Sequence, residues 1–377
     1  MVNDSATWLT PVSSGGTVWG GGWNGSQWLI SGWGDDGPND SDPYIYLYDG
    51  RNQVIGGSLG QYQAESTWRG SDVFAVSANG NEWLLSGLGS GDLPAYGNQN
   101  HMALALFNGS NFTDLSSSVP EQQDEILYAN GWNGEYWLVG GGYDDDGILF
   151  SFDGRNSTDL TALIARSVPT FSSVQSLAWN GYYWLIGGVN FLATYDGHRF
   201  TDLTNKLDLT LDLSGGCCSS VNAIAWDGAE WMLGGGVPVA QTGYYGPWLV
   251  QYSQAGFRDL TSEILPPTVD LIPAYSSIPS ITATDGAWII GGYTNGEGSL
   301  YQYSGGQFTN LSYLVRNFTY VNWVGASTPH NGAPANSDRS NPCPPESPPV
   351  LRQSERLTLE ILRLRASSVS GVGHVQT

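Results

Sequence analysis

Lysine is almost missing from this chain. Lys206 is the only one, and Lys plus Arg total 13 against 35 Asp plus Glu. A surface so poor in cations is a bad match for nucleic acid or anionic membranes, whose partners neutralise phosphate with Lys and Arg. Cysteine occurs three times, as the adjacent Cys217-Cys218 and as Cys343. That is neither a disulfide framework nor a zinc-ligand spacing. For the adjacent pair, two ordinary thiols and a strained vicinal disulfide both stay open. There are four histidines, of which His330 and His374 lie near the C-terminus. His101 and His198 are too few for a histidine-rich copper or zinc centre. No apolar stretch is long enough to span a bilayer, and Met1 opens into polar sequence without the hydrophobic segment of an export signal. If the protein is exported, its signal is not within these residues.

What the chain does have is a returning phrase: Asn-Gly or Asp-Gly, then an apolar run anchored by Trp, then small residues. Its Trp anchors are Trp28, Trp83, Trp137, Trp184, Trp231 and Trp288. The turn glycines stand at 25, 80, 134, 181, 228 and 286, in steps of 55, 54, 47, 47 and 58 residues. A strand-bearing repeat near fifty residues points to a radial array of small sheets. In the clearest unit, Val174 to Trp179 is a first strand and Asn180-Gly181 a hairpin signal, read as a type I′ turn. Tyr182 to Ile186 returns, Gly187-Gly188 ends that strand, and Leu192 to Tyr195 is the third. Asp196-Gly197 turns again, and Phe200-Thr201-Asp202-Leu203 is the fourth. Four antiparallel strands in each of six units describe a β-propeller. Blades packed face to face cover their strands on both sides, which explains apolar runs without alternation. The six Trp anchors are expected to be equivalent and buried between blades.

The apolar strand closing on Gly-Gly, followed by the aromatic pair Tyr195 and Phe200 on the next hairpin, resembles the Kelch-type propeller repeat over roughly residues 15 to 315. The aromatic pair here is five apart, where the Kelch pattern has Tyr and Trp six apart. Such propellers serve many unrelated functions, so the resemblance implies a fold and leaves function open.

The expected architecture is therefore all-β, a propeller of six four-stranded blades over 1–325, with seven blades as runner-up. Its units run about 15–68, 70–120, 124–168, 171–215, 219–267 and 277–315. Residues 6–11 (Ala-Thr-Trp-Leu-Thr-Pro) read like the fourth strand of a preceding repeat, and Tyr320 to Gly325 like the first strand of a following one. Both ends look cut from a longer array, or they meet to close the ring. Residues 326–377 change character, with a proline cluster from Pro342 to Pro349 and a helical-looking stretch from Glu355 to Ala366. They form a tail expected to be largely disordered. Glycosylation sequons at Asn3, Asn24, Asn39, Asn108, Asn111, Asn156, Asn310 and Asn317 fit an exported glycoprotein, though a chain rich in Asn, Ser and Thr also generates them by chance.

In a four-stranded meander the first and third turns share one end of the disc. Here all of them are minimal, so the longer connections gather at the opposite end: 32–45, 87–101, 140–148, 187–191, 234–248 and 291–299. Binding concentrates on such loops. That end is acidic and aromatic, and Trp33, Asp35, Asp36, Tyr143, Asp145, Tyr244 and Trp248 are the candidate binding residues. A glycan surface would use the rings as stacking platforms and the carboxylates to hold hydroxyls. A metal site would use Asp144, Asp145 and Asp146, and calcium is the one cofactor this reading allows. The plain alternative is a solvated polar loop. An enzyme is harder to support: no spacing singles out a carboxylate acid and base, no nucleophile triad appears, and an arginine cluster is lacking. The function read from the sequence is an extracellular or cell-surface binding or scaffold propeller, recognising a glycan or a surface protein. The alternatives are a carbohydrate-active enzyme using carboxylates such as Asp36 and Asp145, or a purely structural module.

Overall fold

The computed structural model describes residues 16–35, 41–49, 53–58, 72–89, 101–120, 125–143, 146–211, 219–239, 244–264, 277–284, 286–294, 297–315, 321–326 and 359–360. Six four-stranded antiparallel sheets are present, each with its strands in chain order. They span residues 16–58, 72–114, 126–159, 174–202, 220–259 and 277–310, blades 1 to 6 below. First strands of successive blades touch one another from blade 1 through blade 6, so the sheets stand radially around an axis. The protein is a six-bladed β-propeller. Among the described residues three α-helices, Thr161–Ser167, Thr204–Leu211 and Thr261–Ile264, follow fourth strands, and none of them reaches three turns.

The Trp anchors do what their spacing predicts. Trp28, Trp83, Trp137, Trp184, Trp231 and Trp288 are all buried. Trp231, for example, shares a cluster with Leu185 and Leu192 of blade 4 and with Leu233 and Val250 of its own blade. A second device repeats at the outer edge. Leu160 N–H donates to Leu149 O at 2.8 Å, and Leu149 N–H donates to Thr161 Oγ1 at 3.1 Å. Blades 4 and 5 repeat this bond with Thr204 and Thr261, and blades 2 and 6 with Ser116 and Ser312. A hydroxyl beside the buried leucine thus extends the ladder one bond beyond the fourth strand.

Two local expectations need correction. The first turns are not two-residue type I′ hairpins. Trp179 pairs with Trp184, so Asn180 to Tyr183 form a four-residue connection. Among these residues only the glycine has positive φ, 94° at Gly181. Asparagine works through its side chain instead: Asn180 Oδ1 accepts from the N–H groups of Tyr182 and Tyr183 at 2.9 and 2.8 Å, an Asx turn. The glycine doublet ends the second strand in blade 4 as expected, but in blades 3, 5 and 6 the strand runs on past it. Gly187 lies inside the second strand Trp184–Gly188, where a Cβ would come within 2.5 Å of Val221 in the next blade. Glycine is there to let two blades approach.

The seam between blades 6 and 1 decides how the ring closes. Val321 and Val324 pack on Gly291 as Ile278 and Ile281 pack on Gly234, and as Val221 and Ile224 pack on Gly187. Val321 N–H donates to Gly292 O at 3.2 Å, and Val324 N–H donates to Ser280 Oγ at 2.9 Å. On the other side Trp323 meets Trp28 edge-on at 5.3 Å and covers Gly21. Residues 321–325 thus hold the place of a seventh first strand between the six complete blades. Gly325–Ala326 pairs with Leu359–Glu360, so those two tail residues form a strand and not the expected helix. The edge of residues 325–326 offers hydrogen bonds that a strand accepts and a helix does not. The rest of the tail, residues 1–15, and Cys217 and Cys218 lie outside the described residues.

Candidate functional site

The longer connections do gather at one end of the disc, but most are extensions of the ladder. Tyr143 pairs with Asp146, Val239 with Tyr244, Thr294 with Glu297 and Asp35 with Ser41. Small residues after the Trp anchor sustain the second strand out to the rim, so the open end is built from hairpin tips on rigid sheets.

Of the expected binding residues, Tyr143 stands out. It is 57% exposed at the tip of the blade 3 hairpin, one of few large apolar side chains left in solvent. Its pairing partner Asp146 is exposed as well. Trp33 and Asp35 fall in the second strand of blade 1, and Tyr244 opens the third strand of blade 5; their strands are placed but their side chains lie outside the described set. Asp36, Asp144 and Asp145 also lie outside it. Trp248 must be corrected. It is 2% exposed, packed with Trp231, Leu233 and Val250, and lines a small cleft between blades 5 and 6 beside Pro247, Ile278 and Tyr301. A ten-residue third strand, Tyr244–Ser253, carries it into the sheet, so its ring is core and no surface platform.

The structure adds two carboxyl groups that spacing did not single out. Glu125 immediately precedes the first strand of blade 3 and is buried. Burial, with the nearby negative charge of Asp146 as a second cause, pushes its pKa up to about 7. Asp72 opens the first strand of blade 2, and burial raises its pKa too. His101, beginning the third strand of blade 2, is buried at the same end. No sequence signal marks Glu125, because its environment is made by a hairpin tip twenty residues away. Among the described residues no three His, Cys, Asp or Glu side chains converge to hold a metal ion.

The sequons mostly coincide with turns at the other end. Asn24 and Asn108 each accept backbone N–H bonds through Oδ1, which makes the Asn-Gly-Ser phrase a turn device first. Asn108, Asn111, Asn156 and Asn310 are exposed, and Asn39, Asn317 and Asn3 lie outside the described residues.

The fold defines the class of this protein, a β-propeller, and comparison with known proteins carries it no further than that class. The sequence matches no protein-family model, the Kelch-type repeat included. It matches no curated protein either. Among solved structures it is similar to the extracellular domain assigned to a one-component system from B. thetaiotaomicron, with a TM-score of 0.54 and 13% identity. That match covers 85% of this chain and 37% of the other. It is also similar to the β-propeller domain of the Trilobed protease from Pyrococcus furiosus, described as having an open velcro topology, at 11% identity and a TM-score of 0.46. That match covers 82% of this chain and 87% of that one. At such identities the likeness concerns the fold alone. No helix among the described residues is long and apolar enough to cross a membrane.

Proposed function

We propose that this propeller is a binding or scaffold module at the cell surface or outside the cell, and that its open end recognises a glycan or a surface protein. One observation carries the reading: Tyr143 keeps a large ring in solvent at a rigid hairpin tip, beside the carboxylate of Asp146. A ring offers a flat apolar face, and a carboxylate accepts from hydroxyl or amide donors, which is the mixture that polar surface ligands need. Trp33, Asp35, Asp36, Asp145 and Tyr244 extend the same surface in this proposal. Asp144, Asp145 and Asp146 are its candidate calcium ligands, and the exposed sequons its glycosylation sites. The likeness to an extracellular domain agrees with this localisation without arguing for a ligand.

A second reading has its own observation. Glu125, with its raised pKa, and Asp146 form a pair of carboxyl groups in unlike environments, the arrangement that divides an acid from a base in glycoside cleavage. A glycan array probed with the whole chain, with and without calcium, separates the readings. Binding that disappears in Tyr143→Ala supports recognition. Release of reducing sugar that disappears in Glu125→Gln supports the enzyme. Silence in both overturns the glycan and enzyme readings and favours a structural module, with pull-down of a surface protein that Tyr143→Ala abolishes as the result that would keep the open end in play.

A further inference from the structure

Two side chains on one face of a regular strand are two residues apart. In this ring the first-strand residues that pack together are three apart: Val73 and Val76, Val174 and Leu177, Val221 and Ile224, Ile278 and Ile281, Val321 and Val324. The ladder shifts register at the same places, between Val73 and Ala75, Val174 and Ser176, Val221 and Ala223, and Ser277 and Ser280. Blade 1 shifts between Val18 and Gly20, and blade 3 between Leu127 and Ala129. Each first strand therefore carries a bulge that turns one residue out of the alternation. In blades 1 to 3 that residue is Trp19, Phe74 or Tyr128.

The rings show where the bulges point. Phe74 lies 5.4 Å from the ring of Trp19 in blade 1 and 5.3 Å from the ring of Tyr128 in blade 3. A side chain on one face of blade 2 reaches only one neighbouring blade. Phe74 reaches the equivalent residue of both, so it faces the axis. All three rings are half-buried, as residues lining a channel should be. Continuing around the axis, the bulge positions become Gln175, Asn222, Pro279 and, by the same spacing, Asn322. One half of the channel is thus aromatic, and the other is mainly amide.

The aromatic half of this lining is the part that favours a cation. Aromatic faces are electron-rich. Gln175 Nε2 donates to Ser173 Oγ at 2.9 Å and Asn222 Nδ2 to Ser277 Oγ at 2.8 Å, so each amide has used one of its two N–H donors and keeps the other beside its accepting oxygen. Asp72 stands two residues before Phe74, and Glu125 three before Tyr128, at the open mouth. None of the described first strands contains Lys, Arg or His.

We propose that the axial channel is a binding site for an organic ammonium group, seated on the arc of Trp19, Phe74 and Tyr128 with Asp72 and Glu125 at its mouth. Aromatic arcs hold alkylated ammonium ions through the ring faces. A metal ion needs several converging oxygen ligands, which this arc does not offer. The ammonium could arrive on a small solute, a lipid headgroup or a methylated lysine, since the arc reads the cation and its methyl groups. The channel opens at the same end of the disc as Tyr143, and Glu125 at its mouth feels the charge of Asp146.

The test titrates the whole chain with tetramethylammonium, with choline, and with 3,3-dimethylbutan-1-ol, the uncharged isostere of choline, following tryptophan fluorescence and calorimetric heat. Saturable binding of both cations, with the isostere at least about tenfold weaker, is the expected result. Phe74→Leu should weaken the cations about tenfold and Asp72→Asn a few-fold, while Tyr182→Ala, in an exposed tight turn at the opposite end, changes nothing. No saturable signal, or equal binding of the isostere, overturns the proposal. So does a folded Phe74→Leu protein with undiminished affinity. Should that variant not fold, the isostere comparison on the unaltered chain still decides. Further arms with phosphatidylcholine vesicles and with a trimethyllysine peptide identify the carrier, and preferential binding of either supports the ammonium site.

Discussion

The two ends of the disc treat their carboxylates in opposite ways. At the tight-turn end, Asp153 and Asp196 are held below the usual carboxylate range. Backbone N–H donors do this, Asn156 and then Arg155 for the first, Arg199 and then His198 for the second. At the open end Asp72 and Glu125 are pushed up, by burial first and, for Glu125, by Asp146 second. One end uses negative charge to fix the backbone. The other holds carboxyl groups whose charged form burial disfavours. A buried carboxyl with a raised pKa is a better candidate for function than one that closes a turn.

The comparison breaks first, and with the largest effect, if the scaffold between the two ends is not the rigid part. Trp184 is fully buried while Tyr182, two residues away in the turn, is 71% exposed. Trp184→Ala should cost about 3–5 kcal/mol in denaturant unfolding, and Tyr182→Ala less than about 0.5 kcal/mol. A Trp184→Ala loss near that of Tyr182→Ala would mean the anchors do not hold the blades together.

Proton linkage sharpens the contrast. The folded pKa of Glu125 is raised from 4.5 to about 7, so its contribution is fully present below about 4.5 and is lost as pH rises through about 7. The loss should be on the order of 1–2 kcal/mol after screening at the open mouth. Glu125→Gln should flatten stability across that window. Asp153 and Asp196 have lowered pKa values, so their contribution is present at neutral pH and lost as pH falls through the folded pKa. Melting temperatures of wild type, Glu125→Gln and Asp196→Asn from pH 3 to 8 test both signs. A wild-type profile that Glu125→Gln leaves unchanged between pH 4.5 and 7 removes the contrast.

What was legible in the sequence follows the same division. Blade count, strand order and Trp burial were legible because one local phrase recurs, and its hairpin and apolar anchor act within a dozen residues. Propensity marks Asn180 as a turn residue but not its mechanism, since it does not say whether the amide or the backbone supplies the turn. The composition of Gln241 to Pro247, rich in turn residues, makes Trp248 read as a loop ring. A strand extended by cross-strand pairing overrode that composition. Glu125 was invisible, since its burial depends on a blade packing around it. The bulge residues Trp19 and Phe74 were equally hidden, because a register shift leaves no mark in an apolar run. The open end is the part assembled by long-range contacts.

Asn180 tests the tight-turn end at smaller scale. Asn180→Ala removes the acceptor for the Tyr182 and Tyr183 N–H groups and should cost about 1 kcal/mol. Asn180→Asp should be close to neutral, because Asp227 makes the same two bonds in blade 5, to Ala229 and Glu230 at 2.8 and 2.7 Å. Equal losses in the two variants would show that the backbone, and not the side-chain oxygen, sets this turn.

The smallest effect on stability belongs to Tyr143, and that is its meaning. Tyr143 and Trp248 both looked like surface rings of one loop cluster, yet the structure leaves Tyr143 57% exposed and Trp248 2% exposed. Removing a ring from solvent costs the fold almost nothing, so Tyr143→Ala should stay within about 0.5 kcal/mol of wild type. Trp248→Ala, which empties a packed site between blades, should lose about 3–5 kcal/mol. Binding at the open end should show the reverse order when each variant is compared at a temperature where both are folded. Tyr143→Ala should abolish retention of the ligand found on the array, and Trp248→Ala should preserve it. If Tyr143→Ala were as destabilising as Trp248→Ala, its ring would be part of the core after all, and the open end would lose the exposed platform on which its recognition role rests.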